Sequence, residues 1–254
     1  MQVGHYLYQF LWQSHFSAPV EEKLISGGRV LDVGCNPGTW LFEIASAYPL
    51  TDFIGIDINP LFPSPSDISQ HNIKFVQADV LDKLPFEDDS FDYIRMALFS
   101  NTFTHDEWQP ALQELIRVLK PGGFIELMEP DYRLQNMGPD SVQLVTSLLQ
   151  YLSLQHVNGE IVHKLQLLLA ATNGLGDIDH SVRSLPISHL GGKTGVLLED
   201  SFFIYCNEVV GEPLADFMEL SLGEYEELLQ RVKKEFVTFE TFCRVYRFWA
   251  VKNR

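Results

Sequence analysis

The stretch "GGRVLDVGCNPGTWLFEIASAYP", residues 27–49, decides the fold of the first half of the chain. An apolar run over 29–34 carries a single acid, Asp32, and predicts a strand that is buried on both faces of a parallel sheet. Gly34 and Gly38 bracket the turn that follows, where they allow positive φ angles and a close approach of a ligand to the backbone. A helical pattern then covers 40–48. Strand, turn and helix together predict a ligand site where this strand ends.

The composition limits the possible partners. The chain has 254 residues, with 18 Lys and Arg against 34 Asp and Glu, a formal net charge of −16. Nucleic acid and anionic membranes select clustered Lys and Arg, so neither is expected as a partner. We find no signal-peptide pattern at the N-terminus and no apolar run of membrane-spanning length. We therefore expect a cytoplasmic protein, with a nuclear location left open.

The cysteines and histidines give no metal or disulfide pattern. Cys35, Cys206 and Cys243 are far apart in the sequence, which suits a reducing compartment. The histidines of the second half, at 156, 163, 180 and 189, lack the spacing of metal ligands. No metal is therefore predicted.

Five short runs rich in Val, Ile and Phe alternate with helical patterns in the first half. The predicted strands cover 29–34, 52–57, 73–79, 91–97 and 123–129. A helix is predicted at 106–123, capped by Asp106 and ended by Pro121, Gly122 and Gly123. Because strand–helix–strand units connect through right-handed crossovers, the fold class is α/β with a doubly wound, Rossmann-like sheet.

The second half mixes helical patterns with two further strands. Two amphipathic helices are predicted at 141–157 and 160–175, a strand at 178–188, an exposed loop at 189–201, a helix at 220–236 and a closing strand at 242–252. We interpret 1–254 as a single domain. Its predicted parts are an N-terminal helical lid at 1–26, a ligand-binding core at 27–132, a helical insertion at 133–174 that shapes the substrate pocket, and a C-terminal part at 175–254 that completes the sheet.

Acids stand at the ends of three successive predicted strands. Asp32, Asp57 and Asp79 would meet at one edge of the sheet, where a carboxylate must be hydrated or bonded. Asp32 suits a cationic amine, Asp57 suits a ribose diol, and Asp79 suits an exocyclic amine such as that of adenine. These three groups describe S-adenosylmethionine better than NAD, whose fingerprint GxGxxG is also absent here.

Four segments resemble the ordered motifs of class I S-adenosylmethionine-dependent methyltransferases. They are "VLDVGCNPGTW", "FIGIDINP", "FVQADVLDKLPFEDDSFDYI" and "RVLKPGGFIELMEPD", within residues 20–132. The rest of the chain resembles fungal methyltransferases of secondary metabolism. The resemblance implies the seven-stranded sheet of that class, with the insertion after the fifth strand, and S-adenosylmethionine as cofactor with S-adenosylhomocysteine as product. Matched by position, the cofactor-binding residues it implies are Asp32, Gly34, Cys35, Asn36, Gly38, Asp57, Ile58, Asp79, Val80 and Met96, with Ala97 beside them.

One residue departs from the family pattern. Asn36 stands where the family usually has a second glycine. Asn tolerates the left-handed backbone better than most residues, so we expect the turn to survive, with the Asn36 side chain crowding the methionine end of the cofactor.

The candidates for catalysis follow the fourth and fifth strands. They are His105, Glu129 and Tyr132, with Asp131 beside them, and Glu129 has the alternative role of bonding backbone. An aromatic N-terminal stretch, Tyr6, Tyr8, Phe10, Trp12 and Phe16, is predicted to close over the cofactor or to pack as a plain helix.

We therefore expect methyl transfer to a small-molecule acceptor, at oxygen, nitrogen or carbon. The alternative is a regulator that keeps the fold, transfers little or no methyl and acts through protein partners. The acceptor and the oligomeric state are left open.

Overall fold

A seven-stranded sheet forms the centre of the computed structural model, which describes residues 2–254 and the side chains from Leu7 onward. The side chain of Tyr6, one of the predicted lid aromatics, lies outside the described part. The strands are β1 (Arg29–Val33), β2 (Asp52–Asp57), β3 (Ile73–Gln77), β4 (Phe91–Ala97), β5 (Leu119–Gln135), β6 (Leu175–Pro186) and β7 (Phe242–Lys252).

The sheet has the order β3-β2-β1-β4-β5-β7-β6. Strands β1 to β5 are parallel, and β7 runs antiparallel to both β5 and β6. The strand order reverses between β1 and β4, which is where open α/β sheets bind ligands. The predicted α/β class, the Rossmann-like sheet and its seven strands are confirmed.

Nine α-helices accompany the sheet in the described part of the chain. They are α1 (Gln2–Trp12), α2 (Glu21–Ile25), α3 (Thr39–Ala47), α4 (Trp108–Val118), α5 (Pro139–Leu154), α6 (Leu165–Ala171), α7 (Gly192–Ile204), α8 (Gly211–Phe217) and α9 (Leu222–Thr238). One turn of π-helix, Tyr205–Val209, continues α7. None of the helices that the structure describes has the length and hydropathy needed to cross a membrane.

Alternation along the strands distributes the core over both faces of the sheet. Val30 and Tyr93 pack with α2 and α3 on one face, whereas Leu31 and Ile94 pack with α4 and α6 on the other. A third apolar cluster lies beyond β5, where α5, α8 and α9 pack together around Leu144, Tyr225 and Val232. The first two clusters border the point between β1 and β4 where the strand order reverses. Packed side chains therefore support this point from both faces of the sheet.

The helix before β5 is shorter than predicted at both ends. It begins at Trp108, with Glu107 at the capping position and no side-chain cap, so the predicted Asp106 cap is wrong. It ends at Val118 because Leu119 already pairs with Phe91 of β4. The residue before a proline is disfavoured in helical conformation, which explains why Lys120, preceding Pro121, continues as strand.

Two features of the second half differ more strongly from the prediction. Strand β5 continues to Gln135, which pairs with Phe242 of β7. The predicted loop at 189–201 is wrong, since α7 covers most of it. Its glycines mark close packing instead, because a Cβ atom at Gly195 would meet the carbonyl oxygens of Ser188 and Pro186.

Candidate functional site

A cavity of about 1050 Å³ lies at the carboxyl ends of β1 to β5. The turn after β1, the ends of β2 and β3 and the loop after β4 form one side of it, and β5, α1 and α7 form the other. This volume is at the upper end of the range for small-molecule sites. The sheet edge predicted from the sequence to bind a ligand is therefore an open cavity.

The turn between β1 and α3 has three residues in the left-handed region. Gly34, Asn36 and Gly38 have φ angles of 67°, 52° and 82°. A Cβ atom at Gly34 would lie 2.6 Å from the ring of Phe99, so the absence of a side chain lets the loop after β4 approach this turn. Asn36 adopts the expected left-handed backbone, and its side-chain amide donates to the carbonyl oxygen of Gly34 at 3.0 Å.

Asp57, the last residue of β2, connects this turn to its own loop. One carboxylate oxygen accepts from the backbone N–H of Asn36 at 2.9 Å, and the other accepts from that of Asn59 at 2.9 Å. Each oxygen can accept a further hydrogen bond, and Asp57 lines the cavity. Asp57 is thus held in place as a fixed double acceptor.

The third acid follows β3. Asp79 lines the cavity, and its carboxylate accepts from the N–H of Leu81 at 2.9 Å. The apolar candidates flank it differently, since Val80 is buried while Ile58 is largely exposed at the rim. All three acids predicted from the strand ends line this one cavity.

Asp32 is buried and ion-paired. Its carboxylate accepts from the guanidinium of Arg95 at 2.6 Å, and Arg95 stacks on the ring of Trp40 with 4.8 Å between the guanidinium carbon and the ring centroid. Parallel register places Arg95 of β4 directly beside Asp32 of β1. This corner of the cavity therefore offers a carboxylate and a guanidinium together, and not the single acid expected from the sequence.

Cys35 contributes a thiol that stays protonated. Burial raises the pKa of the Cys35 thiol, and the negative charges of Asp32 and Asp57 raise it further. Cys35 lines the cavity as a small neutral side chain.

Four predicted site residues, Met96, Gly38, His105 and Glu129, lie away from the cavity lining. Met96 is fully buried, because alternation along β4 directs it to the same core as Ile94, and Ala97 lines the cavity in its place. Gly38 is the last residue of the turn, at the N-cap position of α3. His105 is exposed in the connection before α4, where its backbone N–H bonds to the carbonyl oxygen of His156 at 2.9 Å.

Glu129 and Tyr132 have different surroundings. Tyr132 lines the cavity. Glu129 is fully buried, and its two carboxylate oxygens accept from the backbone N–H groups of Phe99 at 2.8 Å and Ser100 at 3.0 Å. Glu129 therefore fixes the loop after β4, which corresponds to the alternative role of bonding backbone, while Asp131 beside it contacts His163 at 3.0 Å.

Glu129 should make stability depend on pH. Burial raises the pKa of its carboxyl to about 7, from an ordinary value of 4.5. A folded-state pKa above the unfolded value contributes stability that is complete below pH 4.5 and lost as the pH rises through about 7. That difference corresponds to about 3 kcal/mol. Glutamine does not titrate. The free energy of unfolding of Glu129→Gln, relative to that of the wild type, should therefore rise by about 3 kcal/mol as the pH increases from 4.5 to 8.

Urea unfolding at a series of pH values measures this gain. The exposed Glu212→Gln is the control for losing one surface carboxylate. Parallel stability curves for Glu129→Gln and the wild type would contradict the assignment.

Several cavity residues were not predicted from the sequence. Trp40 ends the first quoted motif but was not chosen as a site residue, Arg95 lies in a predicted strand outside the motifs, and β7 contributes Arg247. No described residue of the predicted insertion at 133–174 lines this cavity, so its role in shaping the substrate pocket stays a prediction. Helix α5 packs against α9 and α6 packs against β6, whereas α7 lines the cavity.

The comparisons with known proteins found several methyltransferases that resemble this chain. A model described as "Methyltransferase domain" matches residues 30–123. The N-methyltransferase verN of Clonostachys rogersoniana is 29% identical over 62% of this chain and 54% of its own length. Demethylmenaquinone methyltransferase of Staphylococcus aureus is 35% identical over 41% of this chain and 43% of its own. The chain thus spans about half the length of the curated relatives it matches.

A solved structure extends the likeness to the whole fold. Phosphoethanolamine N-methyltransferase 2 of Haemonchus contortus, in complex with S-adenosyl-L-methionine, superposes with a TM-score of 0.54 at 17% identity. The match covers 100% of this chain and 58% of that protein. The sequence match and the sheet agree: residues 30–123 are similar to a methyltransferase domain, and the whole chain shares the fold of this solved methyltransferase.

Proposed function

We propose that the protein binds S-adenosylmethionine across the ends of β1, β2 and β3 and transfers its methyl group to a small-molecule acceptor. The observation that carries this proposal is the convergence of Asp32, Asp57 and Asp79 on one cavity beside the left-handed turn at Gly34. Three acids from neighbouring parallel strands match the three polar regions of an adenosyl amino acid.

The side chains of this half of the cavity fit such a ligand. The Asp32–Arg95 pair matches an amino-acid group, which carries one positive and one negative charge. Asp57 offers two acceptors to a ribose diol, and Asp79 offers one to the amine of adenine. Val80 and Ile58 supply apolar contacts for a purine ring.

When bound, S-adenosylmethionine supplies an electrophilic methyl group, whose bond to sulfur breaks as the lone pair of the acceptor forms the new bond. The task of the protein is to align the acceptor with that methyl group and to exclude water. Helices α1 and α7 contribute Tyr8 and Leu198 to the cavity, so we propose that they close over it. Of the catalytic candidates, Tyr132 alone lines the cavity and can bond an acceptor.

The test is a calorimetric titration with S-adenosylhomocysteine and with NAD⁺. We expect binding of S-adenosylhomocysteine in the micromolar range and no heat of binding from NAD⁺, because the turn between β1 and α3 lacks the dinucleotide spacing. The reverse order of affinities would overturn the proposal. Release of S-adenosylhomocysteine from S-adenosylmethionine with candidate acceptors distinguishes an enzyme from a regulator that binds the cofactor without turnover.

A further inference from the structure

The cavity has a second half with different chemistry. Adjacent strands lie about 4.8 Å apart, so the ends of β3 and β5, four spacings apart in the sheet, are separated by about 19 Å. The cofactor assigned above occupies the β1 to β3 side. We call the other side the acceptor half, and its lining includes Tyr8, Ala97, Met128, Tyr132, Leu198 and Tyr205.

Apolar packing sets the acceptor half apart. Met128 belongs to the apolar cluster beyond β5, and Tyr8, Leu198 and Tyr205 pack against that cluster. On the cofactor side, Val80 and Cys35 belong to the two clusters that flank the sheet. The boundary between clusters therefore runs through the cavity and divides its lining.

Four of the five acidic side chains of the described lining lie away from the acceptor half, and the fifth, Asp200, is hydrated at its edge. Three of them are the strand-end acids of the cofactor side. Glu107 bonds the backbone N–H of Thr104 at 2.7 Å, in the turn before α4. Asp200 is exposed to solvent on α7.

The cationic side chains of the described lining are already paired. Arg95 lies 2.6 Å from Asp32, and Arg247 lies 3.4 Å from Glu126. An ionised acceptor group in the acceptor half would lose its hydration without gaining a partner of opposite charge, which is costly. This lining selects against charge of either sign.

Tyrosines supply neutral polar groups in the acceptor half. Burial raises the pKa of Tyr8, Tyr132 and Tyr205, so all three keep neutral hydroxyl groups across the physiological range. A neutral hydroxyl both donates and accepts a hydrogen bond. It can therefore bind an uncharged oxygen or nitrogen atom of an acceptor.

The apolar lining continues to the mouth of the cavity. Leu197, Ile204 and Val209 line it and are also exposed, with 36%, 51% and 62% of their surface accessible. Exposed apolar side chains grouped at a cavity mouth mark a binding route for an apolar molecule.

We propose that the acceptor is an uncharged, mainly hydrocarbon molecule, whose polar group bonds to tyrosine hydroxyls in the acceptor half. This inference rests on the proposed function for the position of the cofactor. It names the chemical class of the substrate, which the fold does not determine.

The test uses two probes that share a naphthalene ring system, on protein saturated with S-adenosylhomocysteine. We expect neutral 1-naphthol to bind at least about tenfold more tightly than anionic 1-naphthoate at pH 7, by calorimetry. Ile204→Asp should weaken 1-naphthol binding at least about fivefold, because it places a charge in the apolar mouth. Val196→Asp is the matched control, since Val196 is an exposed residue of the same helix that does not line the cavity.

Equal binding of the two probes, tighter binding of 1-naphthoate, no binding of 1-naphthol, or equal effects of the two Asp variants would each overturn the inference. Failure of this inference can be distinguished from failure of the proposed function. In the second case S-adenosylhomocysteine would not saturate the protein, before either probe is added.

Discussion

Arg247→Met is expected to lower the free energy of unfolding by about 3–5 kcal/mol, because it leaves the carboxylate of Glu126 buried without its cation. The side chains of Arg247 and Glu126 are only 4% and 2% exposed. Methionine has a comparable length and is apolar, so the loss comes mainly from charge and hydrogen bonding and less from lost volume.

The surroundings of the pair explain why the effect should be large. Arg247 donates to the hydroxyl of Ser14 at 3.1 Å and to its carbonyl oxygen at 3.0 Å. Glu126 accepts from the backbone N–H groups of Ser17 and Ala18, both at 2.7 Å. The pair therefore joins the segment after α1 to β5 and β7, and its loss should also loosen α1 over the cavity.

Urea unfolding at pH 7 measures the effect. Arg244→Met, three positions earlier on the same strand and only partly buried, is the control and should change stability by less than about 1 kcal/mol. The double variant Glu126→Gln/Arg247→Met should recover part of the loss, because no buried charge is left unpaired. A single variant as stable as the control would show that the pair contributes nothing.

The central strands could be predicted because a strand buried on both faces has a recognisable apolar sequence pattern. Strands β2 and β4 begin and end where their apolar runs do, since a strand buried on both faces needs a nearly continuous run. Helix α7 was not predicted, because the glycines around 191–195 resemble a loop. Gly195 instead permits contact with Ser188 and Pro186, and only the folded chain brings those residues to it.

The candidate site was predictable to a similar degree. The acids at strand ends could be found because parallel strands bring their carboxyl ends to one edge. The pairing of Asp32 with Arg95 depends on the register between β1 and β4, which the sequence does not reveal. Likewise, Glu129 was a catalytic candidate by position, while its bonds to Phe99 and Ser100 depend on the path of the loop after β4.

Asp57→Ala is expected to weaken the binding of S-adenosylhomocysteine by about 2–3 kcal/mol, a rise in Kd of roughly 30- to 150-fold. The reason is the loss of a fixed carboxylate that offers one acceptor to each hydroxyl of the ribose in the proposed complex. The variant also frees the backbone N–H groups of Asn36 and Asn59, so the turn beside the cofactor loses an anchor.

Two further variants separate binding from folding. Asp52→Ala removes an exposed carboxylate from the opposite end of the same strand and should leave the Kd unchanged. Asp57→Asn keeps an acceptor for the N–H of Asn36 but loses the charge, so its Kd should lie between those of the wild type and Asp57→Ala.

If Asp57→Ala and Asp52→Ala bind S-adenosylhomocysteine equally well, the ribose is held elsewhere, and the cofactor cannot lie across the ends of β1, β2 and β3 as proposed. If Asp57→Asn is as weak as Asp57→Ala while both remain folded, the negative charge itself holds the ribose, and the anchoring of the turn contributes little.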